Sequence, residues 1–534
     1  MTAESGPRVT AESGIPVTAG SAGATPPRGP EGPSPEIRRQ IRGSSMLLGG
    51  RVLSMVANLA VMAVTVRSLT KTEFGHFSYA LSIVSAVSGL VTLGIDQAVP
   101  RFVAVFDERR SYGELVGTLI IQVTAILGIS AFAALVVVGG RGWLSGSLVR
   151  DADNLGVLMV LIALAPIQAF DDFAVALFAV YAKPSAIFFR RYLLTPVMRL
   201  VVVGLLVVAD GGARFLAVGY VVTGLVGVAL YAILLIRLLK ERRVFALARA
   251  QGVSLPWRSV LGYSLPLMTT DVLYSVMNTS DVVLLDRYHD ADAVASYRSV
   301  VPAAKLNQFV MTSFALLFVP LMARMLERHD RAGVTDLYWR TAAWIAVASF
   351  PMFALTFSLS EPITVAMFGE GYRNAGDLLA LMSLGYYFNA ALGFNGLTVK
   401  TAGRVAYTVG ISILALAVNL GLSFLWIPAY GALGAALATL GSLVFHNIMK
   451  QLGLRAATDI PLYSSEYAAI YAYIVVGAGM LFLCTRFLGP PLGVELAIAA
   501  IVSVGVFALS RQRLSIRQIF PEVTAVPVLG RWLS

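Results

Sequence analysis

The stretch VAYTVGISILALAVNLGLSFLWIPAY, residues 405–430, carries no charged side chain. About 20 mainly apolar residues suffice to cross about 30 Å of hydrocarbon. Lipid offers the backbone no hydrogen-bond partner, so such a run must satisfy its N–H and C=O groups internally, which makes it a helix and not a strand. Working outward from Val405, about fourteen segments of this kind follow one another from about residue 45 to about residue 510. Their expected starts are Ser45, Ser78, Leu115, Leu155, Leu193, Phe215, Leu261, Ala293, Thr341, Leu378, Val405, Gly431, Ala468 and Gly493. Over all 534 residues 13% are charged and 57% hydrophobic, with a mean hydropathy of +0.76. The chain reads as an all-α polytopic membrane protein, and its function must rest on the polar residues that survive inside the spans.

The net charge of +11 would point to nucleic acid in a soluble protein. Placement argues otherwise. With the N-terminus inside, about 29 of the 41 Lys and Arg fall in cytoplasmic segments, about 8 outside and about 4 within spans, the asymmetry of cytoplasmic loops. The basic runs Arg237 to Arg243, Arg324 to Arg331 and Arg511 to Arg517 are thus topology determinants near anionic headgroups. No aromatic-interleaved basic sheet accompanies them, so nucleic acid is not an expected partner. Both termini are expected in the cytoplasm.

Residues 1–42 are expected to form a disordered tail, in which Thr2-Ala3-Glu4-Ser5-Gly6 recurs as Thr10-Ala11-Glu12-Ser13-Gly14. Gly, Ala, Pro, Ser and Thr in this proportion cannot bury enough apolar surface to fold. The remaining division is a lobe at 43–240, a cytoplasmic linker at 241–260, a second lobe at 261–455, an appended helical hairpin at 456–510 and a tail at 511–534. The lobes look like repeats. Thr70, Glu73, Phe74, Gly75 and Ser78-Tyr79 at the first hairpin turn correspond to Asp290, Asp292, Ala293 and Ser296-Tyr297 at the seventh. Six spans per half gives both halves one orientation, and substrate sites of such transporters lie at the repeat interface. The linker, the longest internal connection, is expected to supply the slack for their motion.

Ionisable residues inside spans are rare and costly, so each is a functional candidate. A rise of about 1.5 Å per residue matches Asp271 with Lys305 near mid-membrane, Asp281 with Arg298, Arg51 with Asp96, and the pair Asp171-Asp172 with Arg199. Spacing adds direction. Arg51, Asn58 and Thr65 share one helix face; Arg298, Lys305 and Thr312, with Gln308 alongside, share another; Asp271, Ser275, Asn278 and Asp281 form a third stripe. Three such stripes would line a polar cavity between the lobes, although interhelical hydrogen bonds account for any one residue equally simply. The four histidines (His76, His289, His329, His446) fall at span ends or loops without metal-ligand spacing, and Cys484 is the single cysteine. No P-loop signature occurs. Neither a cofactor nor enzymatic catalysis is expected.

Several stretches also resemble a known family. Gly49-Gly50-Arg51, Glu73-Phe74-Gly75-His76-Phe77 and Leu93-Gly94-Ile95-Asp96-Gln97-Ala98-Val99-Pro100-Arg101-Phe102 are similar to the start of polysaccharide transporters. These are the oligosaccharide flippases of the multidrug/oligosaccharidyl-lipid/polysaccharide exporter superfamily. Met367-Phe368-Gly369-Glu370-Gly371-Tyr372 and Trp426-Ile427-Pro428-Ala429-Tyr430-Gly431 are similar to later parts of that family. The resemblance implies alternating access around a central cavity in a bacterial cell membrane. It implies a polyprenyl-diphosphate-linked oligosaccharide as substrate, moved from the inner to the outer leaflet, with membrane lipids and the polysaccharide polymerase or export machinery as partners. The diphosphate would be held by Arg51, Arg298 and Lys305, with Arg101 and Arg199 in support, because guanidinium and ammonium groups suit phosphate. Asn58, Asp96, Asp271, Asn278, Asp281 and Gln308 would supply the polar and coupling groups. Two alternatives stay open: a multidrug or small-molecule antiporter of the same superfamily, and a membrane glycosyltransferase or polymerase, which would need a long outer loop that the sequence lacks.

Overall fold

The computed structural model describes residues 35–91, 94–140, 152–181 and 183–514; the greater part of both expected tails, 1–34 and 515–534, lies outside them. The chain divides into a short unit, Met1–Ser45, and a body, Met46–Ser534. Described residues before the linker form α1 (Pro35–Ser68), α2 (Lys71–Val91), α3 (Ile95–Glu108), α4 (Tyr112–Gly139), α5 (Ala152–Leu161), α6 (Leu164–Val180), α7 (Pro184–Val208) and α8 (Ala213–Glu241). The linker holds α9 (Val244–Gln251). Beyond it come α10 (Trp257–Tyr288), α11 (Ala291–Lys305), α12 (Phe309–Glu327), α13 (Arg331–Ser358), α14 (Ser360–Phe368), α15 (Ala375–Ala391), α16 (Asn395–Thr401), α17 (Val405–Tyr430) and α18 (Ala432–Thr458). A last hairpin is α19 (Ser465–Leu488) and α20 (Leu492–Ser510). The described residues contain helices and no strand, and this is a multi-pass helical membrane fold.

Eleven of these helical stretches are long and apolar enough to cross a bilayer. A twelfth crossing is bent by 52° between Ala291–Ala315 and Phe318–Glu327, where Pro320 removes a backbone donor. The expected fourteen would also require α10 and the α15–α16 pair. α10 carries Asp271, Asp281 and Asp286, and α15 stops after 17 residues.

The turns 68–71, 288–291 and 368–375 gather at one end of the body, and there the two halves are sealed. Thr70 and Glu73 cap α2 reciprocally: Thr70 N and Oγ1 donate to Glu73 Oε2 at 3.0 and 2.9 Å, while Glu73 N donates to Thr70 Oγ1. Asp290 caps α11 by accepting from Ala293 N at 2.8 Å. The two similar turns meet, because Thr72 Oγ1 donates to Asp292 Oδ1 at 2.8 Å and Gly75 packs against the Ala291 carbonyl with no room for a Cβ. The connection 359–376 is folded into α14 and a 3₁₀ turn at Glu370–Tyr372. Arg67 donates to its Met367 and Ala366 carbonyls at 3.0 and 2.6 Å, and Lys71 donates to Gly371 O at 3.3 Å while lying over the Tyr372 ring. Phe74, Val84, Val294, Tyr297 and Leu379 belong to one apolar core that crosses both halves here. Two further cores lie around Val99, Phe173 and Tyr231 and around Tyr338, Phe350 and Ile470. The halves also touch where α3 meets α10, the Phe102 ring lying edge-on to Tyr263.

The linker is not slack. Gln251 Oε1 accepts from Tyr112 N and Gly113 N at 2.8 and 3.2 Å, and its Nε2 donates to Arg110 O at 2.8 Å, so it completes the N-terminus of α4. Ser254 N donates to Gly113 O, and a Cβ at Gly113 or Gly117 would overlap the Gly252 or Ser254 carbonyl. Residues 244–255 are therefore strapped to the first half.

Candidate functional site

A cavity of about 770 Å³ opens inside the second half. α10 presents Met277, Asn278 and Asp281 to it, α11 presents Tyr297, Arg298 and Lys305, and Gln308 and Thr312 continue the same wall. Steps of three, four and seven residues keep these side chains on one helical face, as their spacing predicts. Of the residues expected to bind or couple, Arg51, Arg298, Lys305, Asn278, Asp281 and Gln308 all line this one space. Arg51 is the only first-half residue among the described lining residues, so the cavity belongs to one half and not to the interface expected from the repeat.

Its charge is lopsided. Arg51, Arg298, Lys305, Lys400 and Lys450 line the wall, against Asp281 as the one carboxylate among the described lining residues. Asp281 is 3% exposed. Its Oδ1 accepts from Ser423 at 2.8 Å, and its Oδ2 accepts from Tyr297 at 3.0 Å and from Thr439 at 3.3 Å. Three hydroxyl donors on α11, α17 and α18 thus stand in for the water that burial removes. Arg298 makes no ion pair or hydrogen bond with a described residue, so the expected Asp281–Arg298 depth match is not a salt bridge. Among the described residues Lys305 Nζ reaches Asn278 Oδ1, at 3.4 Å, and Arg51 Nη1 reaches Thr312 Oγ1, at 3.4 Å. Among the described residues no carboxylate bonds Arg51, Arg298 or Lys305.

Other expected positions fall elsewhere. Asn58 donates to Ser54 within its own helix at 2.7 Å. Arg101 stacks on the Tyr263 ring and Arg199 on the Tyr220 ring, 4.4 and 4.8 Å from the centroids, and neither lines this cavity. The Asp96 and Asp271 side chains, and with them the Arg51–Asp96 and Asp271–Lys305 matches, lie outside the described residues. Asp171 pairs with Arg190 at 2.6 Å and Asp172 with Arg191 at 3.4 Å, in place of the Arg199 partner expected from depth. α7 starts at Pro184 and not near Leu193, which brings 190–191 level with the aspartates.

Sequence reasoning missed Lys400 at the end of α16 and Lys450 on α18. His446, expected at a span end or in a loop, sits inside α18 on the cavity wall, 3.5 Å from Ser412. The available signal was the polar run His446, Asn447, Lys450 and Gln451 within an otherwise apolar span. Asn389, Asn419, Tyr386 and Thr408 add amide and hydroxyl groups, and the buried Asn419 Oδ1 has no hydrogen-bond partner among the described residues. An electropositive, amide-rich pocket of this size suits a polyanionic, hydroxyl-rich solute.

The family model described as polysaccharide biosynthesis protein matches residues 41–326, and the MatE model matches residues 266–425. An uncharacterized membrane protein of Methanocaldococcus jannaschii is 21% identical over 429 residues, covering 75% of this chain and 81% of its own. A capsular polysaccharide biosynthesis protein of Staphylococcus aureus is 22% identical over 182 residues, covering 34% of this chain and 46% of its own. Among solved structures, lipid II flippase MurJ in an inward closed conformation superposes with a TM-score of 0.61 at 13% identity, covering 89% of this chain and 99% of that one. An inward-facing multidrug resistance MATE family transporter gives 0.60 at 14% identity, covering 76% and 95%.

Proposed function

The chain belongs to the polysaccharide biosynthesis protein family, within a superfamily of membrane transporters and flippases, and from that premise we propose that it flips a polyprenyl-diphosphate-linked oligosaccharide from the inner to the outer leaflet for export of a cell-surface polysaccharide. The observation that carries this reading is the cavity whose described lining residues include five basic side chains and one carboxylate, already satisfied. A diphosphate supplies the missing negative charge, and Arg298, Lys305 and Arg51 are the groups assigned to it. Desolvated cations are costly unless an anion or a water-filled space compensates them. The amides of Asn278, Asn389 and Asn419 are suited to sugar hydroxyls.

On this reading the protein sits in a bacterial cell membrane with both termini cytoplasmic, and the sealed end faces outward. The headgroup then enters from the cytoplasmic leaflet, and transport requires the seal to open. The MatE match across residues 266–425 favours a second reading, export of a small molecule; five cations against one carboxylate among the described lining residues speak against a cationic drug. The deciding experiment deletes the gene and identifies the lipid-linked sugar that accumulates, then reconstitutes flipping of that lipid. Arg298→Ala abolishes flipping while the protein remains inserted. Arg298→Lys recovers only part, because one ammonium cannot reproduce the bidentate fork. No accumulated lipid-linked sugar, or wild-type flipping by Arg298→Ala, would count against the reading.

A further inference from the structure

The five cations do not form one cluster. Counting about 1.5 Å per residue from the closed end, Arg298 lies about 10 Å down α11, Lys305 about 21 Å, and Lys450 about 27 Å down α18. Lys400 lies one turn beyond Gly396 on α16, and Gly396 lies against the Lys450 stem, so the two lysines share one stretch of the cavity wall. Like charges so placed repel one another. The Lys450 stem packs on Gly396, where an added Cβ would come within 3.1 Å of its Cδ. No carboxylate bonds either lysine among the described residues; the network of Asn395, Asn447, Gln451 and Tyr338 is neutral. A diphosphate is two tetrahedra sharing one oxygen, far too short to reach from Arg298 to Lys450.

We propose that Lys400 and Lys450 form a second anion subsite, which selects glycans bearing a negatively charged sugar substituent. This rests on the flippase reading, since it places the diphosphate at Arg298 and Lys305 and the glycan further from the sealed end. The carboxylate of an acidic sugar would sit between the two ammonium groups. A neutral glycan would leave their repulsion uncompensated, and for that reason would bind less well.

The test uses the full chain in nanodiscs of phosphatidylcholine and two probes: a polyprenyl diphosphate carrying diglucose, and the same lipid with glucuronic acid as the outer sugar. Wild type binds the acidic probe about tenfold more tightly, the scale of one charge-assisted contact. Lys400→Gln with Lys450→Gln brings the ratio to near one, whereas Lys450→Arg keeps most of it. The ratio is read within each protein, so a general loss of folding weakens both probes and does not imitate the effect. Equal binding of the two probes by wild type overturns the proposal, as does a persisting preference in the double variant. A preference removed by adding phosphatidylglycerol would mean that the lysines hold a lipid headgroup, and would also overturn it. If neither probe binds wild type, the flippase reading itself fails.

Discussion

Arg67→Ala should open the sealed end. Arg67 donates to the Ala366 and Met367 carbonyls, which belong to the last turn of α14. Those carbonyls have no intrahelical partner and form the negative pole of the helix. The side chain is exposed, so each bond is taken at the neutral scale of about 1 kcal/mol and the pair at about 2 kcal/mol. Both bonds join the two halves at this end, so they stabilise only the arrangement seen here. Their loss then raises the population open at this end roughly thirtyfold. Asn278, on the cavity wall, provides the reporter. With Cys484 changed to Ser and Asn278 to Cys, an impermeant maleimide is added on the side that the 68–71 turn faces. The Arg67→Ala variant should label about thirty times faster than its parent, and Arg67→Lys should fall between. A rate within twofold of the parent would show that these bonds do not hold the gate.

Three further outcomes are expected. Arg190 and Asp171 are 6% and 16% exposed, so Asp171→Ala should cost about 3–5 kcal/mol by leaving a buried guanidinium, and the double change Asp171→Leu with Arg190→Met should restore much of it, read from thermal unfolding in detergent. Gly117→Val should push the 252–255 segment off α4, costing about 1–3 kcal/mol, with faster proteolysis near residue 252 as its signature; an intact linker would refute the close approach. Tyr297→Phe removes one of three donors to Asp281 and should cost about 1 kcal/mol, whereas Asp281→Leu strands Ser423 and leaves Tyr297 and Thr439 only each other, and should cost more, measured as shifts in the unfolding midpoint.

The helical class was legible because burial in lipid leaves a long apolar run one solution, and Val405–Tyr430 is such a run in the structure. The Arg298–Lys305 stripe was legible because seven-residue spacing survives any packing. Lys400 and Lys450 were not, since each is the sole ionised group on its stretch of cavity wall and meets the others only through the packing of α16 against α18. Depth matching failed for Arg199 because the start of α7 is set by Lys183-Pro184 and not by where hydrophobicity rises. It failed for Asp281 because three hydroxyls, each ordinary in sequence, outcompete one guanidinium. The seal at 359–376 escaped notice because its acceptors are backbone carbonyls, which no side-chain pattern announces.

The one-sided cavity wall has a mechanical consequence. If all but one of the described contacts belong to the second half, a bound headgroup is cargo in a cup, and the first half is a shutter that slides across its rim. With residues 244–255 riding on that shutter, the pivot is confined to the few residues before α10. Arg51 would then be the one finger of the shutter that touches the cargo, able to report to the first half whether the cup is filled.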